Sequence, residues 1–237
     1  MRFYLPNIKN GARLELTGEV HTHAAYALRI RVGDDITVFD GNGNDYSCQV
    51  EEIKKDKTLL RVLDTAHNVR EAKVDVSLYL AVIKQDRFEI AVQKATELGV
   101  KRIVPVYSAY AQHNFKLNYD RLNKIAISAC EQCGRSVVPI IEQSIEFDEL
   151  LSRTQNTYMI FPWEHETNNR LSNAIDTTVK DVSVFIGPEG GISDSEQMRL
   201  TESGAKSVTL GKRILRAETA AIATLSVVYY EMGEWNL

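Results

Sequence analysis

Two short segments in the last third of the chain hold residue types suited to chemistry. The first is Val184-Phe185-Ile186-Gly187-Pro188-Glu189-Gly190-Gly191-Ile192-Ser193, an apolar run that ends in a glycine-rich turn. Ser193 or Asp194 then opens a helix, with Glu196 in the capping-box position. Glycines let the backbone approach a ligand without a Cβ in the way, and open α/β sheets bind ligands outside the carboxyl ends of their strands. Gly187–Gly191 therefore reads as a ligand loop. It is neither Gly-x-Gly-x-x-Gly nor a loop ending in Gly-Lys-Ser/Thr, which sets aside NAD dehydrogenases and P-loop NTPases.

The second segment is Leu210-Gly211-Lys212-Arg213-Ile214-Leu215-Arg216-Ala217-Glu218-Thr219-Ala220. From Ala217 to Tyr230 the predicted helix carries one charge, Glu218. A helix apolar all round is buried in a core or a subunit interface. Two charges at its mouth are costly, so Arg216 and Glu218 either pair or serve a site. Cys130-Glu131-Gln132-Cys133 has no second cysteine pair, and the histidines are scattered at 21, 23, 67, 113 and 165. Four-ligand zinc is excluded. The two cysteines read as small apolar residues inside a helix, with a dithiol redox site as the minor alternative.

The elements that must position these segments form two rhythms. Ile36–Asp40, Tyr46–Ile53 and Thr58–Leu63 read as strands, with Gly41–Asn44 as a hairpin turn. Residues 64–73 are polar and read as a linker. Beyond it, strand-like runs at Val74–Ile83, Arg102–Tyr107, Thr157–Phe161, Val182–Ile186 and Ser207–Leu210 alternate with helical periodicity. That alternation predicts an α/β domain with a parallel sheet covered on both faces. The expected domains are residues 1–70, a small β domain, and 74–237. Helices are predicted over 86–98, with Phe88, Val92, Ala95 and Leu98 inward, and over 120–135, with Leu122, Ile125, Ala126 and Ala129 inward.

The net charge of −4 argues against a polyanionic partner until its distribution is considered. Residues 1–31 carry +3 and residues 84–135 carry +4, leaving −11 elsewhere. Local basic patches are compatible with RNA binding. No apolar run approaches the roughly 20 residues of a membrane span, and Pro6 comes too early for a signal-peptide core. Three cysteines suggest no disulfide framework, so a cytoplasmic protein with no membrane partner is expected.

Four motifs, in order and at fitting intervals, carry a family resemblance. They are Lys94-Ala95-Thr96-Glu97-Leu98-Gly99-Val100, Glu131-Gln132-Cys133-Gly134-Arg135, Gly187–Gly191 and the Leu210–Thr219 segment. Together they resemble the RsmE-type 16S ribosomal RNA uridine-N3 methyltransferases of the SPOUT superfamily. His23, Leu28-Arg29, Val32-Gly33-Asp34 and Phe39-Asp40-Gly41 are similar to that family's PUA-like RNA-binding barrel. Ala27 and Cys133 are small departures, where the family usually has valine and often serine.

The resemblance implies a PUA-like β-barrel followed by a parallel-sheet domain with a C-terminal trefoil knot. It further implies bound S-adenosylmethionine, a homodimer, and methylation of 16S ribosomal RNA in the decoding region of the small subunit. The expected cofactor residues are Phe161, Pro162, Gly187, Pro188, Glu189, Gly190, Gly191, Leu210, Gly211, Ile214 and Leu215, with Trp163 in the first loop. Uracil N3 must lose a proton before it attacks, so an arginine near O2 or O4 and a carboxylate proton acceptor are expected. Arg135 and Arg216 are the electrostatic candidates; Glu218 and Glu131 are the carboxylate candidates. Arg2, Arg13, Arg29, Arg31, Lys84, Arg87 and Lys94 are the expected RNA contacts. Ribose 2′-O-methylation is the rival within the superfamily, but its Asn-x-Gly-x-x-x-Arg motif is missing. The glycine loop and the Leu-Arg-Ala-Glu-Thr segment speak against a non-catalytic RNA-binding or ribosome-assembly protein.

Overall fold

The computed structural model describes residues 1–8, 11–68, 70–113 and 115–235 and divides the chain into two units. The first takes Met1–Glu71 and Ile127–Val138; the second takes Ala72–Ala126 and the chain from Pro139. The linear division expected at residues 70–74 is thus incomplete, because twelve later residues join the first unit. The expected end of the second domain, residue 237, lies outside the described residues.

The first unit contains β1 (Arg2–Tyr4), β2 (Arg13–Thr17), α1 (Gly18–Thr22), a π-helical turn (His23–Ala27), β3 (Asp35–Phe39), β4 (Asn44–Ile53) and β5 (Lys57–His67). The strands form one sheet in the order β1-β3-β4-β5-β2. Alternating side chains such as Leu14 and Leu16, Ile36 and Val38, and Cys48 and Val50 fill its core. Two register shifts between β4 and β5 bend the sheet. The expected polar linker is partly strand. Asp64, Thr65, Ala66 and His67 pair with Ser47, Tyr46, Asp45 and Asn44, because ladder hydrogen bonds outweigh side-chain polarity there.

Residues 127–138 are held to this sheet by buried polar groups. Val138 N donates to Gly41 O at 3.1 Å, and Gly43 N donates to Ser136 O at 3.1 Å. Arg2 grips Asp45 through both terminal nitrogens, at 2.8 and 2.6 Å, and also donates to Arg135 O at 2.7 Å. Glu71 accepts from the Arg135 side chain at 2.9 Å and from the backbone N–H of Ser136 and Val137 at 2.9 and 3.0 Å. The Arg135 and Glu71 side chains are 3% and 7% exposed. Two of the expected site residues are placed here. Arg2, expected at RNA, is ion-paired with Asp45, and Arg135, expected as a catalytic cation, is buried and ion-paired with Glu71. Both charges are neutralised where water is excluded, which neither residue type nor spacing reveals.

The second unit contains β6 (Asp75–Ala81), α2 (Gln85–Leu98), β7 (Arg102–Tyr107), α3 (Tyr119–Cys133), β8 (Ile140–Ile141), β9 (Ile145–Glu146), α4 (Phe147–Thr154), β10 (Tyr158–Pro162), α5 (Leu171–Ala174), β11 (Asp181–Ile186), α6 (Asp194–Glu202), β12 (Lys206–Val208) and α7 (Ala217–Glu231). The residues of α3 from Ile127 onward belong to the first unit. The sheet order is β12-β10-β11-β6-β7-β8, with β9 also on β7, and every pairing is parallel. Its strands are apolar on both faces, as a covered sheet requires: Tyr79 and Ala81 face one core cluster while Leu78 and Leu80 are fully buried too. Helix α3 stops at Cys133 rather than 135, because Gly134 takes φ +87°. Cys130 is buried within α3, and burial pushes its thiol up to about 12. Among the described residues no cluster suited to a metal ion is found, and no helix is long and apolar enough to cross a membrane.

Removing one partner of a buried ion pair leaves an uncompensated charge, at a cost of about 3–5 kcal/mol. Glu71→Ala is expected to lower stability by that amount, read as a lower urea midpoint. A midpoint equal to wild type would mean the pair contributes nothing net to holding residues 127–138.

Candidate functional site

Parallel strands deliver their carboxyl ends to one edge of the sheet. Three loops leave that edge after β10, β11 and β12, and they enclose a cavity of about 690 Å³. Each loop is locally determined. After β10, Trp163 N donates to Val208 O at 3.0 Å. Glu166 accepts from Asn168 N, Asn169 N and Ser207 Oγ at 2.9, 3.1 and 2.8 Å. Those hydrogen bonds hold the Glu166 carboxyl below the ordinary range. After β11, Ser193 caps α6 as expected: its Oγ accepts from Glu196 N, and Glu196 accepts from Ser193 N. The other oxygen of Glu196 accepts from Ala109 N at 2.7 Å, tying this turn to the loop after β7.

Most of the expected cofactor residues meet at the cavity. Pro162, Gly187, Pro188, Glu189, Gly191, Leu210, Gly211, Ile214 and Leu215 line it, as does Trp163. Two do not line it: Phe161 is fully buried in the core behind the loop, and Gly190 abuts Tyr110. Lining residues not among the expected cofactor residues include Glu164, Glu166, Thr167, Arg170, Ile192 and Thr209. The polar run 164–170 held no repeat or glycine signature, so only proximity to the cavity identifies it.

The cavity walls are fitted closely. A Cβ on Gly187 would stand 2.7 Å from Ile192 Cγ1, and one on Gly191 would stand 2.8 Å from Glu164 Oε1. Trp163 Nε1 is buried without a hydrogen-bond partner in the chain. Ile214 is 84% exposed, unusual for a large apolar side chain at a cavity rim.

The charged candidates are distributed less simply. Arg216 is exposed at the N-cap of α7, and Glu218, two residues on in its first turn, is buried. Among the ion pairs of the described residues none joins them, and Glu218 Oε2 has no hydrogen-bond partner. Neither lines the cavity, although Ala217 and Ala220 do. Glu131 lies in the first unit, where it accepts from Tyr4 N at 3.1 Å and burial raises its carboxyl. Of the basic candidates, Arg29 and Arg31 are exposed, and Arg13 is exposed with Glu51 at 3.0 Å. Lys84 is exposed at the start of α2, Lys94 pairs with Glu97, and Arg87 reaches Glu189 of the glycine loop at 3.0 Å.

Gly191 has φ +82°, a conformation that costs an L-residue roughly 1–2 kcal/mol. Gly191→Ala is expected to lose about that much stability in chemical denaturation, and more if Glu164 cannot yield. An unchanged midpoint would show that the turn does not need this geometry.

Comparison with known proteins places this architecture. Residues 70–229 match the model of the RNA methyltransferase domain, and residues 16–63 match the RNA methyltransferase PUA domain. The chain is 32% identical to ribosomal RNA small subunit methyltransferase E of Rickettsia conorii, covering 96% of this chain and 94% of the relative. A crystal structure of ribosomal RNA small subunit methyltransferase E from Neisseria gonorrhoeae, bound to S-adenosyl methionine, superposes with TM-score 0.87 at 32% identity, covering 97% and 96% of the two chains. A Legionella pneumophila methyltransferase in complex with the cofactor SAM superposes with TM-score 0.86 at 31% identity, again covering 97% and 96%. With a PUA-like unit, a parallel-sheet unit and this match over nearly its whole length, the chain belongs to the ribosomal RNA small subunit methyltransferase E family.

Proposed function

We propose that this chain transfers a methyl group from S-adenosylmethionine to N3 of a uridine in the decoding region of 16S ribosomal RNA. The observation that carries the reading is the three-loop cavity at the carboxyl edge of the sheet, in a chain whose relatives hold that cofactor. The cavity of about 690 Å³ falls within the range of small-molecule sites. Gly187 and Gly191 leave no room for a Cβ, and Trp163 Nε1 is an unused donor in its wall. Pro162, Trp163, Gly187, Pro188, Gly191 and the Leu210–Leu215 loop would hold the cofactor.

When bound, S-adenosylmethionine supplies the electrophilic methyl, as its sulfonium charge disappears on transfer. The protein's task is to orient the base and to make N3 nucleophilic. Arg216 stabilises the uracil anion, whose charge spreads over O2 and O4. Glu218 Oε2, buried and without a partner, receives the N3 proton directly or through water. Arg135 and Glu131, held within the first unit, act on the fold rather than on the base.

The first unit and the basic edge of the second bind RNA through Arg13, Arg29, Arg31, Lys84, Arg87 and Lys94. The outward side of α7, with half-buried Ile222, Ala223 and Val227 and exposed Tyr230, supports a homodimer interface. The exposed Ile214 side chain supports a site completed at that interface. The trefoil knot implied by the family belongs to the same reading, as do a cytoplasmic location and the assembled small subunit as substrate.

Methyl transfer from labelled S-adenosylmethionine to small subunits that lack the modification tests the function, with nucleoside mass analysis as readout. We expect 3-methyluridine; another methylated nucleoside overturns the acceptor assignment. Arg216→Ala should reduce turnover by about 100-fold or more, and Glu218→Gln by a similar factor, with melting temperature and cofactor affinity preserved. Full activity in either folded variant removes that residue from the chemistry. RNA affinity should fall steeply with salt, and replacing Arg29 or Arg31 by Ala should lower the salt slope by about 0.7. Salt-independent binding would refute the basic surface.

A further inference from the structure

The loops after β6 and β7 leave the sheet on the same edge as the glycine loop, since β11, β6 and β7 are consecutive parallel neighbours. The loop after β7 is rigidly held. Ala111 N donates to Ser108 O at 3.0 Å, Gln112 N to Val82 O at 3.1 Å, and Ala109 N to Glu196 Oε1 at 2.7 Å. On this fixed turn Tyr110 is 57% exposed. Its Cβ and Cγ lie 2.9 and 3.4 Å from where a Cβ on Gly190 would stand. The residue is therefore seated against the glycine loop by the base of its side chain. Neighbouring Pro188, Glu189 and Gly191 line the cavity. Arg87 reaches Glu189 from α2, and Lys84 is exposed at the start of that helix. Among the described residues, the other exposed tyrosine and tryptophan side chains of the second unit, Tyr230 and Trp235, contact each other edge to face at the end of α7.

We propose that Tyr110 is the stacking platform for the nucleobase that is methylated. The inference rests on the functional reading above. A base within a paired, stacked strand cannot present N3 to a donor in a cavity, so it must be drawn out of the stack. Extrusion forfeits stacking on neighbouring bases, and an aromatic face at the cavity rim restores it without demanding a particular sequence. Arg87 and Lys84, on the adjacent loop and helix, are placed for the flanking phosphates. Phe161 and Pro162 end β10 and Trp163 opens the loop after it, on one side of β11, so Tyr110 approaches the glycine loop from the other side, through β7.

The test compares Tyr110→Phe, Tyr110→Trp, Tyr110→Leu and Tyr110→Ala in the full chain. Cofactor affinity is measured by calorimetry, and kcat and KM for methyl transfer to unmethylated small subunits are measured separately. Leucine keeps the Cβ and Cγ that pack on Gly190 but has no aromatic face, so it separates packing from stacking. We expect Phe and Trp to sustain transfer, and Leu and Ala to lower kcat/KM by about 5- to 150-fold. Cofactor affinity should be unchanged throughout. Wild-type transfer by the Leu variant overturns the inference, as does a matching loss of cofactor affinity. A wild-type chain that binds cofactor but methylates no subunit overturns the functional reading instead, and this inference falls with it.

Discussion

Parallel pairing is the constraint on which the second unit depends. A parallel strand cannot be reached by a hairpin, so each must be regained through a connection that crosses the sheet. Every strand then ends on the same edge. β12, β10, β11, β6 and β7 deliver their loops there side by side. The cavity is the consequence: three of those loops surround it, and the loops after β6 and β7, which carry Lys84 and Tyr110 respectively, leave the same edge of the sheet.

The charged residues of the two units stand in opposite situations. In the first unit, Arg2, Asp45, Arg135 and Glu71 are paired out of water and fasten residues 127–138 to the sheet. Each side chain there is held by specific partners, although Arg2 Nε has none, which gives a defined arrangement and little freedom to meet a substrate. Around α7 the pattern reverses. Arg216 is exposed, and Glu218 keeps an oxygen without a partner despite burial. An unsatisfied buried carboxylate oxygen is costly, and such costs are tolerated where a ligand or a proton supplies the missing contact.

Two joints keep the loops in register. Glu196 closes the capping box of α6 and also accepts from Ala109, so one carboxylate positions both the glycine turn and the loop carrying Tyr110. Arg87 reaches from α2 to Glu189 on the same glycine turn. Exposed at about a quarter of each side chain, this pair contributes little to stability but orients a cation beside the cavity.

Local periodicity and turn chemistry made much of this molecule readable from its sequence. The strand at Arg102–Tyr107 is found at the expected residues, α2 and α7 within a residue of their expected limits, and the Ser193–Glu196 capping box as read. These features are set by neighbours three or four positions away, and sequence displays such neighbours directly. The glycine loop was legible for the same reason: a turn that excludes Cβ atoms declares itself by composition. Tertiary structure alone decided the fate of the charges. Arg2 reads in sequence as an RNA contact and Arg135 as an electrostatic catalytic residue, whereas the fold brings Asp45 and Glu71 to them across 43 and 64 residues of chain. Arg216 and Glu218, adjacent enough to suggest a pair, face different surroundings. Whether a charge is neutralised, exposed or left wanting a partner depends on what the folded chain brings beside it, and residue spacing carries no record of that.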